Sequence, residues 1–295
     1  MLHKCMHALR LEAFTMLTKV TFVLIGASGS IGGHFLKAAQ AQGARIVNLG
    51  RRAPALDVPH IDTDVCVLAS IQQAATQAFA QLGQVDIVLN FSGTHHKPMD
   101  FLHDDPEVLL SEFDRVVDVN LRGAFIVTQV FGRLLMMQRH GHIIHLCSNA
   151  SRLSLHGSYA YNASKHGLEG LIKTAAAQFA PHRVRVNGVA PGTVETPLNE
   201  HLLRDPQTGN LTARAASILA HTPTKRFASL EGITETLLAM CVPQRHMTGN
   251  VIFCDDGYNV EGHSWPEGSR AIYEGGDAVD TLYRQLAGDN DEEAT

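Results

Sequence analysis

Thr21-Phe22-Val23-Leu24-Ile25 runs straight into Gly26-Ala27-Ser28-Gly29-Ser30-Ile31-Gly32-Gly33, and the helix-compatible stretch His34 to Gln42 follows. The first five residues form a short apolar run with β-branched members, the pattern of a buried strand. Strand, glycine turn and helix in that order let backbone N–H groups approach an anion at the helix N-terminus. A glycine cluster alone marks only a turn. With these flanks it reads as a phosphate cradle for a nucleotide, built from Gly26, Ser28, Gly29, Ser30, Ile31 and Gly32.

Around this unit the chain alternates strands and helices. Arg45 to Leu49 predicts a second strand that ends at Gly50-Arg51-Arg52, and Asp62-Thr63-Asp64-Val65 follows. A helix is expected over about 70–82, then a strand from Val85 to Asn90 that leads into Phe91-Ser92-Gly93. Glu107 to Gln138 has the length and period of one long helix, with Gly123 and Gly132 as weak points. Gly141 to Cys147 predicts the fifth strand, with Ser148 in the loop at its carboxyl end, and Arg183 to Val189 the sixth. The turn Ala190-Pro191-Gly192-Thr193-Val194-Glu195-Thr196 comes next, then an irregular insert from Leu198 to Arg226, a helix near Leu230 to Met240, and a seventh strand from Asn250 to Cys254. This alternation predicts an α/β, doubly wound, mainly parallel sheet of about seven strands with helices on both faces.

Composition narrows the classes. The chain has 295 residues, 45% of them hydrophobic, enough for one large α/β domain or two small ones. A net charge of −5 offers no basic footprint for nucleic acid. Five scattered cysteines without metal-ligand spacing argue for reduced thiols and a cytoplasmic setting. No apolar run approaches the roughly 20 residues that cross a bilayer. His95-His96, with His103 nearby, has no acidic or cysteine partner at ligand spacing, so a loop lip near the substrate is the better reading than a metal site. Residues 1–17 read as a disordered extension with Met16 a candidate start, 18–262 as a single catalytic domain with a lid at about 193–226, and 263–295 as a tail. In that tail Val279, Leu282, Tyr283 and Leu286 share one face of a short helix ahead of an acidic end.

The chemistry lies in Tyr161-Asn162-Ala163-Ser164-Lys165. Residues four apart on a helix share a face, so the phenol and the ammonium can act together, and a nearby ammonium favours the phenolate. By itself such a pair is common on surface helices. Its order with the glycine turn, Asn90 to Gly93, Asn120, Ser148 and the Pro191-Gly192 turn resembles the short-chain dehydrogenase/reductase family over nearly the whole chain except its two ends. That resemblance implies Tyr161 as the acid and base, Ser148 as a hydrogen-bond donor to the reacting oxygen, and Lys165 as a partner of Tyr161 and of the nicotinamide ribose. It implies Asn120 as the anchor of a proton-relay water. Asp64 and Val65 are implied at the adenine, Asn90, Ser92 and Gly93 at the cleft floor, and Pro191, Gly192, Thr193, Val194 and Thr196 around the nicotinamide.

Where NAD enzymes tend to place an acidic residue about 20 positions after the glycines, this chain has Arg51 and Arg52. Two guanidinium groups there suit a 2′-phosphate, so NADP(H) is expected over NAD(H). The glycine spacing departs from the ordinary branch, since Ser30 stands at the fifth position of the turn; it looks more like the extended, epimerase-type branch. Three readings follow: a carbonyl–alcohol oxidoreductase acting on a small molecule, a sugar-nucleotide epimerase or dehydratase of the extended type, and a non-catalytic NADP(H)-binding regulator. The family's habit implies a homotetramer or homodimer.

Overall fold

A computed structural model describes residues 17–95, 99–155, 157–197, 199–242 and 246–260. Seven strands form one sheet: β1 (Thr21–Ile25), β2 (Arg45–Gly50), β3 (His60–Asp62), β4 (Ile87–Asn90), β5 (Gly141–Leu146), β6 (Val184–Pro191) and β7 (Val251–Cys254). Their order is β3-β2-β1-β4-β5-β6-β7, every pairing parallel. Side chains alternate across the sheet. Val23 and Ile25 of β1 enter one core layer, Phe22 and Leu24 the other.

The first layer lies under α2 (Leu68–Leu82), α4 (Gly123–Gln138) and α5 (Tyr159–Phe179), the second under α1 (Ser30–Ala41) and α8 (Leu230–Cys241). Burial on both faces explains why β1 and β4 read as nearly continuous apolar runs rather than as alternating ones. The chain order reverses between β1 and β4, and the carboxyl edge at such a reversal is where open α/β sheets bind ligands.

Three details differ from the sequence reading. The expected single helix of Glu107 to Gln138 is α3 (Pro106–Val117) joined to α4 by a π-helical turn, Asp118–Arg122. The insert expected to be irregular carries α6 (Glu200–Leu203) and α7 (Ala213–His221). Thr212 caps α7 by accepting from Ala215 N, and the alanine-rich run behind it favours helix. Leu17, assigned to the extension, is 2% exposed and packs in the second core layer, so the ordered chain includes it. Residues 1–16, His96, the first residue of the insert (Leu198) and the expected tail helix with its acidic end lie outside the described residues. Among the described residues, no helix is long and apolar enough to cross a membrane.

Candidate active site

The glycine turn sits at the carboxyl end of β1. Gly26 adopts φ +82, a conformation that suits glycine, and a Cβ there would lie 3.2 Å from Ser92 N. At Gly32 a Cβ would come within 2.8 Å of Ala27 Cα and 3.1 Å of Gly26 O, so the turn closes on itself only with glycine there. Gly29 differs: its Cβ direction meets nothing nearer than Gly26 O at 3.8 Å. Gly29 is also the N-cap of α1, which has no side-chain cap and no acidic residue in its first turn. Ser28, Gly29 and Ser30 are exposed at the crest. An open, uncapped helix N-terminus fits a pyrophosphate.

A buried support not foreseen from the sequence holds this turn. Asn48 of β2 is fully buried, and its Oδ1 accepts from Ala27 N at 3.1 Å while its amide group meets His60 Nδ1 at 2.8 Å. Gly50 lies beside the turn, with its Cβ direction 3.6 Å from Gly26 N and 3.9 Å from Arg52 O. Arg51 and Arg52 are both exposed there, and among the described residues neither pairs with a carboxylate. Asp64 accepts from Cys66 N at 2.9 Å, a loop-capping contact, and Val65 is buried against Gly123.

At the end of β4, Asn90 accepts from Ser92 N at 3.1 Å and from Ser92 Oγ at 2.5 Å, which folds the chain into the cleft floor. Its amide group reaches His145 Nδ1 at 3.2 Å. Thr128 Oγ1 donates to Ala124 O, so His145 donates from Nε2 to Thr128 and accepts at Nδ1. That assignment makes the ring neutral. Complete burial, aided by the charge of Lys165, pushes the His145 imidazole down to about 3. Both strand histidines therefore act as local hydrogen-bonding residues; His142, on the other face, meets Asn187 at 2.8 Å.

The π-helical turn aims Asn120 at the next loop. Its Oδ1 accepts from Thr94 N at 2.7 Å, and its Nδ2 donates to Thr94 O at 3.0 Å and Ser164 Oγ at 3.2 Å. Ser164 Oγ in turn donates to Tyr161 O at 2.7 Å. Lys165, 4% exposed, donates from Nζ to Leu146 O at 2.8 Å, and its Nζ lies 5.7 Å from the centroid of the Tyr161 ring. A Cβ on Gly93 would sit 3.5 Å from Asn120 Oδ1 and 3.9 Å from Lys165 Nζ. The turn after β4, the π-helical turn and α5 thus converge on one spot at the carboxyl edge.

Ser148 begins the loop after β5 and is nearly buried. Its Oγ accepts from Ala150 N at 3.1 Å and donates to Asn149 Oδ1 at 3.2 Å. Cys147 is packed at 3% exposure, and burial pushes its thiol up to about 12. On the far side, Gly192 crosses Asp255, where a Cβ would lie 2.8 Å from its Cα, and Gly192 N donates to Cys254 O. Pro191 ends β6, Thr193 O accepts from Ala228 N, and Val194 is buried. Thr196 Oγ1 donates to Asn199 Oδ1 at 3.0 Å. Glu195 pairs with Arg204 at the base of the insert, and that pairing, most of all its hydrogen bond, holds the carboxyl below its usual range.

Two contributors were missed. Ser164, fully buried between Asn120 and Tyr161, is signalled only by its place just before Lys165. Thr94 follows Gly93 directly and has no marker of its own. His95, read as a loop lip, stacks on Tyr161 with ring centroids 4.6 Å apart and planes 17° from parallel.

Residues 26–259 match the family described as enoyl-(acyl carrier protein) reductase. The chain is 32% identical to the L-xylulose reductase of Bos taurus over 243 residues, covering 80% of this chain and 95% of that protein. It is 31% identical to "Carbonyl reductase [NADPH] 2" of Sus scrofa over 244 residues, again covering 80% and 95%. The solved aldohexose dehydrogenase of Thermoplasma acidophilum, in ligand-free form, shares its fold with a TM-score of 0.74 at 23% identity, over 86% of this chain and 100% of that one. The family match and the two reductase relatives, with the parallel sheet, establish that the chain belongs to the short-chain dehydrogenase/reductase family, which uses NAD(P)(H), and that it is an oxidoreductase acting on CH–OH or C=O groups.

Proposed function

We propose that this protein is an NADP(H)-dependent oxidoreductase that interconverts a small-molecule ketone and a secondary alcohol, with Tyr161 as acid and base. The observation that carries the reading is the Tyr161–Lys165 pair, four residues apart on α5 and gathered with Asn120 beside Gly93. Gly26, Ser28, Gly29, Ser30, Ile31 and Gly32 would hold the pyrophosphate, Arg51 and Arg52 the 2′-phosphate, and Asp64 and Val65 the adenine. Asn90, Ser92 and Gly93 shape the floor, and Pro191, Gly192, Thr193, Val194 and Thr196 frame the nicotinamide end.

A nicotinamide held there would supply or accept the hydride. In reduction, Tyr161 gives its phenolic proton to the oxygen on which charge builds, help that is typically worth 10²–10⁴-fold. The Ser148 hydroxyl turns from Asn149 Oδ1 to donate to the same oxygen. Lys165, fixed by Leu146 O, places a positive charge beside the phenolate that is left and reaches the ribose hydroxyls. Asn120 has one Oδ1 lone pair beyond its bond from Thr94 N, and there it orders the water that returns the proton. The catalytic unit runs from Leu17 to about residue 262 with 193–226 as its lid, and the protein works in the cytoplasm as a homodimer or homotetramer.

Tyr159 is a rival for the acid, but it stands six residues before Lys165, one short of the spacing in the related enoyl reductases, and its half-exposed ring stacks on Phe101 with centroids 4.0 Å apart. Carbonyl rather than enoyl chemistry is therefore favoured. The deciding assay follows NADPH oxidation against L-xylulose, 2,3-butanedione, an acetoacetyl thioester and a crotonyl thioester. Turnover with a ketone and none with the crotonyl thioester is expected. Turnover confined to the crotonyl thioester would reverse the assignment, and interconversion of a sugar nucleotide without net cofactor consumption would favour the epimerase class.

A further inference from the structure

We propose that His95 is a positioning residue for the proposed acid, holding the Tyr161 ring by stacking. This rests on the reading of Tyr161 given above. The imidazole lies 4.6 Å from the phenol ring and 17° from parallel, within the range of a favourable offset stack.

The segment that carries His95 is fastened on two sides. Thr94, one residue before it, is bound through both its N and its O by Asn120. Arg115 of α3 donates from Nη2 to His95 O at 2.7 Å and from Nη1 to Thr94 Oγ1 at 2.9 Å. Glu112 holds that guanidinium from the other side through two bonds, at 2.8 and 2.7 Å. Farther along, Met99 N donates to Gly157 O at 3.0 Å, and Phe101 stacks on Tyr159. The chain after β4 therefore crosses the start of α5 with one ring laid on each of the tyrosines at 159 and 161.

A tyrosine side chain has two free torsions, and a small rotation swings its hydroxyl along an arc. Proton transfer needs that oxygen within about 2.6–3.2 Å of its partner, and a misplacement of about 1 Å can cost 10²-fold. The Lys165 ammonium at 5.7 Å attracts the ring but does not fix its tilt. The cluster of Met99, Val116 and Ala160 packs against Tyr161, and a flat group clamped through its own backbone adds a constraint on the tilt. His95 is exposed overall, so its ring contributes little to the core.

The test compares His95→Ala and His95→Phe with wild type, using NADPH and whichever of L-xylulose, 2,3-butanedione or the acetoacetyl thioester the wild type reduces fastest. For His95→Ala, kcat should fall about 2- to 13-fold, the factor matching a stacked pair worth about 0.5–1.5 kcal/mol. The KM for NADPH and the melting temperature should stay unchanged. His95→Phe, which keeps a flat ring without nitrogens, should restore kcat to within about twofold of wild type, since the stack survives. An unchanged kcat in His95→Ala overturns the proposal, as does a His95→Phe enzyme no better than the alanine variant. Tyr161→Phe separates the two levels: if it is active, the proposed acid is wrong and this inference falls with it. If it is inactive while His95→Ala is normal, only the inference fails.

Discussion

Adding one methyl group at Gly29 and, separately, at Gly32 distinguishes a phosphate cradle from an ordinary turn. At Gly32 the new carbon would meet Ala27 Cα at 2.8 Å and Gly26 O at 3.1 Å, both backbone atoms that have little room to move. Gly32→Ala should therefore damage the fold itself, by about 1–3 kcal/mol as overpacking usually does. At Gly29 the nearest atom is 3.8 Å away, and φ −81, ψ 167 suits alanine. Gly29→Ala should cost no more than about 1 kcal/mol, the difference between glycine and alanine at an N-cap.

Its methyl group would nevertheless stand at the uncapped start of α1, where a pyrophosphate would approach. Loss of one charge-assisted hydrogen bond costs about 1.5–3 kcal/mol, so the Kd for NADPH should rise about 13- to 160-fold. Urea unfolding without cofactor and titration calorimetry with NADPH measure the two effects separately. A Gly29→Ala protein that binds NADPH as wild type does would refute the cradle. A Gly32→Ala protein of unchanged stability would show that the turn has slack which the distances deny.

Three further outcomes are expected. The Arg51→Ala/Arg52→Ala double variant should lose at least about 10-fold in kcat/KM with NADPH, for want of charge-assisted bonds to the 2′-phosphate, and change little with NADH; equal losses with both cofactors would reject the NADP(H) preference. His145 is held neutral down to about 3 by burial and Lys165, against about 6.5 in an unfolded chain, so the unfolded state binds the extra proton between those values and stability falls as pH drops through them. At pH 5 that amounts to about 2 kcal/mol, and His145→Gln should show a correspondingly shallower loss of unfolding free energy between pH 7 and 5; parallel slopes would contradict the assignment. Ser164→Ala, which removes one buried bond to Asn120 and one to Tyr161 O, should cost about 1–2 kcal/mol of stability and lower kcat more than it raises the KM for NADPH. A change in KM alone would place Ser164 in cofactor binding instead.

The sheet was legible because parallel strands covered on both faces are written as mainly apolar runs, as β1, β4 and β7 are, and in β2, β5 and β6 enough apolar residues flank Asn48, His142, His145, Arg185 and Asn187 for the runs to show. β3 was not, since His60-Ile61-Asp62 is a short edge strand of mixed polarity with only β2 to pair with. The helices of the 198–226 insert were obscured by their length: α6 has 4 residues and α7 has 9, too few for a period to stand out. In the site, the Tyr161–Lys165 pair could be picked out from helix geometry and Ser148 from its place at a strand end, whereas Asn120 was legible only through the resemblance to the family. The supports could not. Asn48 acts 21 residues from Ala27, and Arg115 reaches His95 O across 20, contacts that only the tertiary fold creates. The π-helical turn that aims Asn120 is equally silent, because Asp118-Val119-Asn120-Leu121-Arg122 reads as ordinary helix.

The proposed chemistry depends above all on the phenol of Tyr161 as proton donor to the reduced oxygen. The most direct measurement is kcat for Tyr161→Phe alongside its Kd for NADPH. Because the hydroxyl acts in the transition state while the ring keeps its place, kcat should drop at least about 10²-fold with cofactor affinity nearly unchanged. A variant that keeps more than about a tenth of the wild-type rate would contradict it.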